Sequence, residues 1–286
     1  MKLARSHAAL LVIAFSLSAR ASAQSPADSA LVFESMTTSA AQGLPFRSSL
    51  RTRTIEIPNA TRVETLERSA TERPNPFAQP IGGYRITFAD GRMIAVDTVK
   101  REYYETNIST IFNKNSPIMQ MIASLNVKPL GATIEVVEKG PGDVILGHKT
   151  SEWQTHNVMN MSMAANGDTV VMTSDQLSTI YFADDIRHVA PASVPGVTPD
   201  SEMVASLKSF SGMDSTATRE ISKLPKTLPL RMVSKASMLM GPIDMLVSVT
   251  MDVTRIERTA VDPSLFEIPK GYKKVEAPSL APPRDM

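Results

Sequence analysis

The chain has 286 residues, no cysteine, and 30 basic against 29 acidic side chains. The near-zero net charge argues against a nucleic-acid partner or an anionic membrane surface, both of which favour clustered positive charge. The absence of cysteine excludes disulfides, thiolate zinc sites, cysteine nucleophiles and the lipid-attachment cysteine of a bacterial lipoprotein. Methionine is abundant at 17 residues, whereas aromatic residues make up 5%.

The first 23 residues have the pattern of a secretory signal peptide. Lys2 and Arg5 precede an apolar run over residues 8–17, and the small residues Ala21 and Ala23 suit a signal peptidase. The run is shorter than the roughly 20 residues that span a bilayer. We therefore expect cleavage after Ala23 and a soluble periplasmic product without a membrane span.

The remaining elements follow from turn and alternation patterns. Helices are predicted over residues 25–42, 116–125 and 198–210, each of which begins with Ser-Pro or Thr-Pro. Strands are predicted over residues 49–57, 62–68, 84–89, 92–97, 101–107, 132–138, 144–146, 150–163, 169–182, 228–240 and 243–256. Hairpin turns are predicted at Asp90-Gly91, Asn166-Gly167 and Gly241-Pro242.

Hairpin-linked strands with few helices predict an α+β, mainly β fold, with a curved antiparallel sheet, or half-open barrel, wrapping a few short helices. We expect one domain over residues 24–275 and a disordered tail over residues 276–286, which is rich in proline.

The turn at Asn166-Gly167 predicts the register of a first methionine-rich hairpin. Met163 then lies opposite Val170, and Met161 lies opposite Met172. Residues two apart on a strand share a face. Met159, Met161, Met163 and Met172 therefore form one apolar face, backed by a polar face.

The turn at Gly241-Pro242 predicts a second such hairpin. Met240 then lies opposite Ile243, Met238 opposite Met245, and Met232 opposite Met251. One face is again apolar and the other polar, as in many antiparallel sheets. Three short helices cannot cover both apolar faces, which favours an accessible apolar cleft over a completely filled core, although both remain open. The predicted lining is Met159, Met161, Met163, Met172, Met238, Met240 and Met245.

Four segments resemble a known group of proteins. They are 265–274 with Phe-Glu-Ile-Pro-Lys-Gly-Tyr, 144–150 followed by Trp153, 93–97 with Tyr103 and Tyr104, and 228–232 with Leu-Pro-Leu-Arg-Met. Together they resemble exported bacterial proteins of unknown function related to the lipoprotein carriers LolA and LolB. The resemblance implies a half-open antiparallel barrel that encloses helices. In the carriers the interior holds acyl chains, but none of their functional residues can be placed in this sequence.

Motifs for catalysis are absent from the sequence, so an enzyme is not expected. Neither a Gly-x-Ser-x-Gly elbow nor a phosphate-binding glycine loop occurs. His148 and His156 would lie about 27 Å apart on one straight strand, at a rise of about 3.4 Å per residue, so they cannot share a metal. His188, with Asp184 and Asp185, is interpreted as part of a loop with solvated charges. No cofactor is predicted.

Three functions from different classes remain. The favoured one is a non-enzymatic binding protein for a lipid or another apolar ligand such as an acyl chain. The second is a structural or interaction protein of the cell envelope with a filled core. The third is a Cu(I)-binding protein, since Met159, Met161, Met163 and Met172 would present thioethers on one side and soft sulfur suits Cu(I).

Overall fold

The computed structural model describes residues 29–42, 46–69, 79–107, 128–165, 168–189, 215–240 and 243–277. Most of these residues belong to strands. The strands are β1 (Ala30–Ala41), β2 (Phe46–Ile57), β3 (Ala60–Arg68), β4 (Tyr84–Phe88), β5 (Arg92–Asp97), β6 (Glu102–Asn107), β7 (Lys128–Pro141), β8 (Thr150–Ala165), β9 (Asp168–Arg187), β10 (Thr227–Met240), β11 (Ile243–Thr259) and β12 (Lys273–Lys274). The helical elements are α1 (Ser215–Ile221) and a 3-10 turn (Pro263–Phe266).

All twelve strands of the described residues form a single open sheet. Their order is β12-β6-β5-β4-β3-β2-β1-β11-β10-β9-β8-β7, with β12 and β7 at the edges. Every neighbouring pair is antiparallel except β12 with β6. The prediction of a mainly β, antiparallel fold is therefore confirmed.

The predicted set of short helices is not confirmed. The described residues hold one seven-residue helix and one 3-10 turn, and the helices predicted over 116–125 and 198–210 lie outside those residues. None of the helices in the described residues is long and apolar enough to cross a membrane.

The helix predicted over residues 25–42 is wrong, because residues 30–41 form strand β1. β1 lies in the middle of the sheet, between β2 and β11. Ala30 to Ser35 are all buried. A strand covered on both faces has no clean apolar–polar alternation, and that loss of alternation made its pattern resemble a helix.

Two shorter predictions also need correction. Residues 144–146 are not a strand, because Ile145 and His148 form an isolated bridge around Leu146 and Gly147, whose φ angles are 51° and 83°. Near the C-terminus, Lys273 and Lys274 pair with β6, and the amide of Val275 donates to the carbonyl of Tyr103. Most of the tail predicted over 276–286 lies outside the described residues.

Directly opposed residues on neighbouring strands share a face of the sheet. We call the face that carries Met161, Met172, Met238 and Met245 the methionine face. Each face has its own apolar cluster. On the methionine face, Leu31, Phe33 and Val253 join a buried cluster completed by Ile145, Ala183, Ile186, Leu228 and Leu230.

The second cluster lies on the opposite face and includes apolar residues of the C-terminal segment 265–274. Phe266 is buried against strands β1 to β5, and Ile268 and Tyr272 pack on the same cluster. Arg62 donates to the carbonyl of Leu265 at 2.7 Å and lies over the ring of Tyr84. The residues that carry the family resemblance here are therefore packing residues.

Candidate functional site: the methionine face

Both methionine-rich hairpins have the predicted register. Met161 lies opposite Met172, and Met163 lies opposite Val170. In the second hairpin Met238 lies opposite Met245, and Met232 lies opposite Met251. The turn residues at 166–167 and 241–242 lie outside the described residues.

The sheet also brings the two hairpins together, which the sequence did not predict. β9 of the first hairpin pairs with β10 of the second. Met172 lies opposite Met240, and Ser174 lies opposite Met238. Met240 is placed by its backbone pairing alone. The seven predicted lining residues therefore fall on one continuous face that crosses β8, β9, β10 and β11.

The four strands present neutral side chains on this face. β8 and β9 contribute Ser151, Trp153, Thr155, Asn157, Met159, Met161, Met163, Val170, Met172, Ser174, Gln176, Ser178 and Ile180. β10 and β11 contribute Met232, Ser234, Ala236, Met238, Met245, Val247, Val249, Met251 and Val253. None of these positions is charged, whereas at the two ends of the same face Asp168 pairs with Ala165 at the start of β9 and Arg258 pairs with Leu31 near the end of β11.

The methionine face is also the less exposed of the two faces. Met161 is 7% exposed, and Met159, Met163, Met172, Met238 and Met245 are half-buried. The neighbouring residues that point the other way, Val171 and Leu239, are 51% and 47% exposed. The methionines are thus partly sheltered from solvent without being fully enclosed.

A hydrogen-bonded polar group crosses the middle of the methionine face. The side-chain amide of Gln176 donates to the hydroxyl of Ser234 at 2.8 Å, and the hydroxyls of Ser178 and Ser234 lie 3.0 Å apart. Ser178 and Ser234 are buried. Because they bond to one another, these groups lie next to apolar neighbours without the full cost of desolvation. They separate the methionines near the hairpin tips from Met232 and Met251.

The charges of these strands gather on the opposite face. Arg231 donates to Asp252 at 2.7 Å, and Ser237 lies 3.3 Å from Asp244. The hydrogen bond to Asp252 raises the pKa of Arg231 and outweighs the effect of burial, which lowers it. The sheet is therefore strongly two-sided between β8 and β11.

The three histidines in the described residues each lie near a carboxylate, and none belongs to a group arranged for a metal. His148 lies 3.0 Å from Asp185, and His156 lies 2.8 Å from Asp175 on the opposite face. Among the described residues no group of three or more histidine, aspartate and glutamate side chains has the arrangement of a metal site.

The sequence suggested that His188 belongs to a loop with solvated charges, but its side chain contacts a buried carboxylate. Asp184 and Asp185 belong to the end of β9, and His188 lies just beyond it. The Nδ1 of His188 lies 2.8 Å from Oε1 of Glu56, whose side chain is 0% exposed. The amide of Val189 donates to the second oxygen of Glu56. These partners are 132 residues apart, so no local pattern could have revealed the contact.

A separate depression lies on the opposite face, near the end of β1. Its volume is about 340 Å³, and it contains none of the predicted methionines. It is lined by Thr38, Ser39, Ala40, Arg47, Ser48, Ser49, Ser69, Ser248 and Thr250. The predicted apolar lining and this hydroxyl-rich depression are therefore distinct features.

No family model matches the chain, and no curated protein matches it. Solved structures show remote likenesses. PNGF-II is 11% identical over 86% of this chain with a TM-score of 0.27, and this chain spans only 31% of its length. A DUF1329 family protein from Desulfovibrio piger is 7% identical, over 83% of this chain and 89% of its own, with a TM-score of 0.27.

A third structure with such a likeness is an outer membrane lipoprotein-sorting protein domain from Vibrio parahaemolyticus. It is 6% identical over 84% of this chain and 90% of its own, with a TM-score of 0.26. Likenesses at this level assign no function to the chain.

Proposed function

We propose that this protein is a non-enzymatic, periplasmic carrier or binding protein for a lipid or another apolar ligand, which it holds on the methionine face. The observation that supports the proposal most is the pairing of β9 with β10, because it joins two methionine-rich hairpins into one continuous surface. Methionine side chains are flexible and polarisable, so they adapt to ligands of varied shape. The proposal involves no catalytic step.

Export to the periplasm is part of the same proposal. The signal-peptide pattern over residues 1–23 supports it, as does the lack of a cysteine for lipid attachment. N-terminal sequencing of the protein recovered from the periplasm should begin at Gln24. Recovery of an intact Met1 in the cytosol would contradict the location.

Cu(I) binding is the competing function, and the register gives it one specific observation. Met161 and Met172 are direct cross-strand partners, as are Met238 and Met245, so four thioethers lie within one sheet region. Thioethers are suitable ligands for Cu(I). His156 adds nothing to such a site, since it faces away and contacts Asp175.

A filled core is the remaining alternative, and one end of the methionine face supports it. The cluster around Leu31, Phe33 and Leu230 is closed, with all three residues buried. This cluster lies away from the hairpin tips and includes none of the half-buried methionines. The closed cluster therefore does not show whether the methionines themselves are covered.

Native mass spectrometry of protein purified from its own host separates the three functions. We expect a mass increment from a bound acyl lipid that organic solvent removes. A copper increment lost on treatment with a Cu(I) chelator would favour the metal site. Protein that carries neither lipid nor copper, and that binds neither oleate nor Cu(I) when they are added, would favour a structural protein with a filled core.

A further inference from the structure

The hydroxyl-rich depression near the end of β1 opens on the face opposite the methionine face. Its volume of about 340 Å³ is at the lower end of the range for small-molecule sites, which is roughly 300–1,000 Å³. Ala40 is the one apolar residue among the lining residues that the structure describes. Burial of apolar surface therefore contributes little here, and a ligand has to be held by hydrogen bonds and charge.

The shape of the depression follows from the strand register. Ala40 lies opposite Arg47 of β2 and opposite Ser248 of β11. Its side chain is a single methyl group, which leaves space between the two longer side chains. The next row of the same face consists of hydroxyl residues, namely Thr38 with its partners Ser49 and Thr250.

Most of the hydroxyl groups on this face of the depression are available to a ligand. Among the described residues four of them have no hydrogen-bond partner: those of Thr38, Ser49, Ser248 and Thr250. Ser39 and Ser48 also border the depression, but their hydroxyls lie 2.6 Å apart on the methionine face. Each of the four free hydroxyls can both donate and accept a hydrogen bond. Together they match the hydroxyls of a sugar or another polyol.

Arg47 gives the depression its charge. Its side chain is exposed, and the described lining contains no aspartate or glutamate. Asp252, two positions from Thr250 along β11, accepts a hydrogen bond from Arg231 at 2.7 Å. A guanidinium group binds phosphate through two parallel hydrogen bonds. One site therefore combines a phosphate-binding side chain with hydroxyls suited to a polyol.

We infer that this depression binds a small phosphorylated polyol, such as a sugar phosphate, with Arg47 bound to the phosphate and the four free hydroxyls bound to the polyol. The site is independent of the proposed function, because it lies on the other face of the sheet and uses none of the methionines. A free sugar phosphate and the head group of phosphatidylglycerol share this chemistry.

Methyl NMR tests the inference, because Ala40, Thr38 and Thr250 each place a methyl group at the depression. Glucose 6-phosphate, glucose and inorganic phosphate are titrated separately at about 0.15 M salt. We expect glucose 6-phosphate to shift these signals with a dissociation constant about tenfold below those of the other two, since it alone makes both kinds of contact. Signals that no compound shifts, or a simpler compound that binds as tightly as glucose 6-phosphate, would overturn the inference.

The variant Arg47→Gln should bind glucose 6-phosphate about tenfold more weakly, because it loses the hydrogen bonds to the charged group. The matched control is Lys235→Gln. Lys235 is exposed and lies opposite Ser248, but it does not line the depression. It is about 14 Å from Arg47 across three strand spacings, so its charge is largely screened and the control should change the affinity by less than about twofold. Equal losses in the two variants would reveal a general attraction to positive charge and overturn the inference.

A third variant tests the hydroxyls. Thr250→Val keeps the shape of the side chain and removes its hydroxyl, so it should weaken glucose 6-phosphate by about fivefold and leave inorganic phosphate unchanged. An unchanged affinity, or an equal loss for both compounds, would overturn the role of the hydroxyls. Sedimentation with phosphatidylglycerol vesicles identifies the source of the phosphate. Co-sedimentation that Arg47→Gln abolishes assigns a lipid head group, whereas binding of glucose 6-phosphate without co-sedimentation assigns a free sugar phosphate.

Discussion

Met172 of β9 lies directly opposite Met240 of β10, and this single pairing joins two hairpins that are separate in the sequence. Each hairpin alone has one apolar face of limited width. Once paired, they form one surface across four strands, and the positions between Val170 and Val253 that carry its methionines include no charged residue. The proposed binding role depends on this junction.

A cysteine cross-link tests the junction next to that pair. Ser174 and Met238 are direct partners on β9 and β10, and Cβ atoms of such partners lie about 4.5–5.5 Å apart. The double variant Ser174→Cys, Met238→Cys should form an intramolecular disulfide on mild oxidation. The chain has no other cysteine, so the product is read directly by mass spectrometry.

The control for this cross-link is Ser174→Cys with Leu239→Cys, because Leu239 points to the opposite face. It should remain reduced under the same conditions. Equal cross-linking in both variants, or in the control alone, would show that the register between the hairpins is wrong.

The contact between His188 and Glu56 should matter for stability. Glu56 is fully buried, and His188 is its side-chain partner at 2.8 Å. Loss of one partner leaves a buried carboxylate that is poorly compensated, which costs about 3–5 kcal/mol. We therefore expect His188→Ala to lower the free energy of unfolding by about 3 kcal/mol, measured by urea denaturation.

His148→Ala is the matched control for His188. His148 also contacts a carboxylate, but that of Asp185 is 63% exposed. Removal of a surface pair changes stability by about 0.5 kcal/mol or less. Equal effects of the two substitutions would mean that Glu56 is hydrated rather than buried.

Glu34 should contribute to the acid sensitivity of the fold. Burial raises its pKa, but hydrogen bonds from Arg51 and Arg53 outweigh burial and lower the pKa below its usual value of 4.5. A carboxylate with a lowered pKa stabilises the fold above its unfolded-state pKa. That contribution is lost as the pH falls through the lowered pKa.

Urea midpoints between pH 7 and pH 3 measure this effect. Glu34→Gln should be less stable than the wild type at pH 7, and the difference should shrink as the pH falls below about 4.5. Glu67→Gln is the control, since its carboxylate is 62% exposed and shares Arg51. A difference for Glu34→Gln that is constant across this range would contradict the assignment.

The parts of the fold that were predicted correctly have local determinants. The dipeptides Asn166-Gly167 and Gly241-Pro242 predicted the registers of both hairpins, because a turn and the strand alternation together decide which residues face each other. The pairing of β9 with β10 has no such determinant, since residues 188–226 separate the strands in the sequence. The strand β1 was missed because its first half, Ala30 to Ser35, is buried on both faces.

The site was also predictable only in part. The methionines could be assigned to one face of each hairpin from their spacing alone. That the two faces are continuous depends on strand order, which long-range packing decides. The Glu56–His188 contact joins residues that are distant in the sequence, and no residue pattern near them indicated burial.

The central claim is that the methionine face binds an apolar ligand, and binding of a fluorescent fatty acid to paired aspartate variants tests it most directly. Met172→Asp and Met238→Asp place a charge on the methionine face, whereas Val171→Asp and Leu239→Asp place it one residue away on the opposite face. Circular dichroism confirms that each variant is folded. We predict that the wild type and the two opposite-face variants bind the probe. The two methionine-face variants should remain folded but bind it with an affinity about tenfold lower or weaker still, because they bring a charge against an apolar chain. A wild type that binds no probe, or methionine-face variants that bind it as tightly as the opposite-face pair, would contradict the claim.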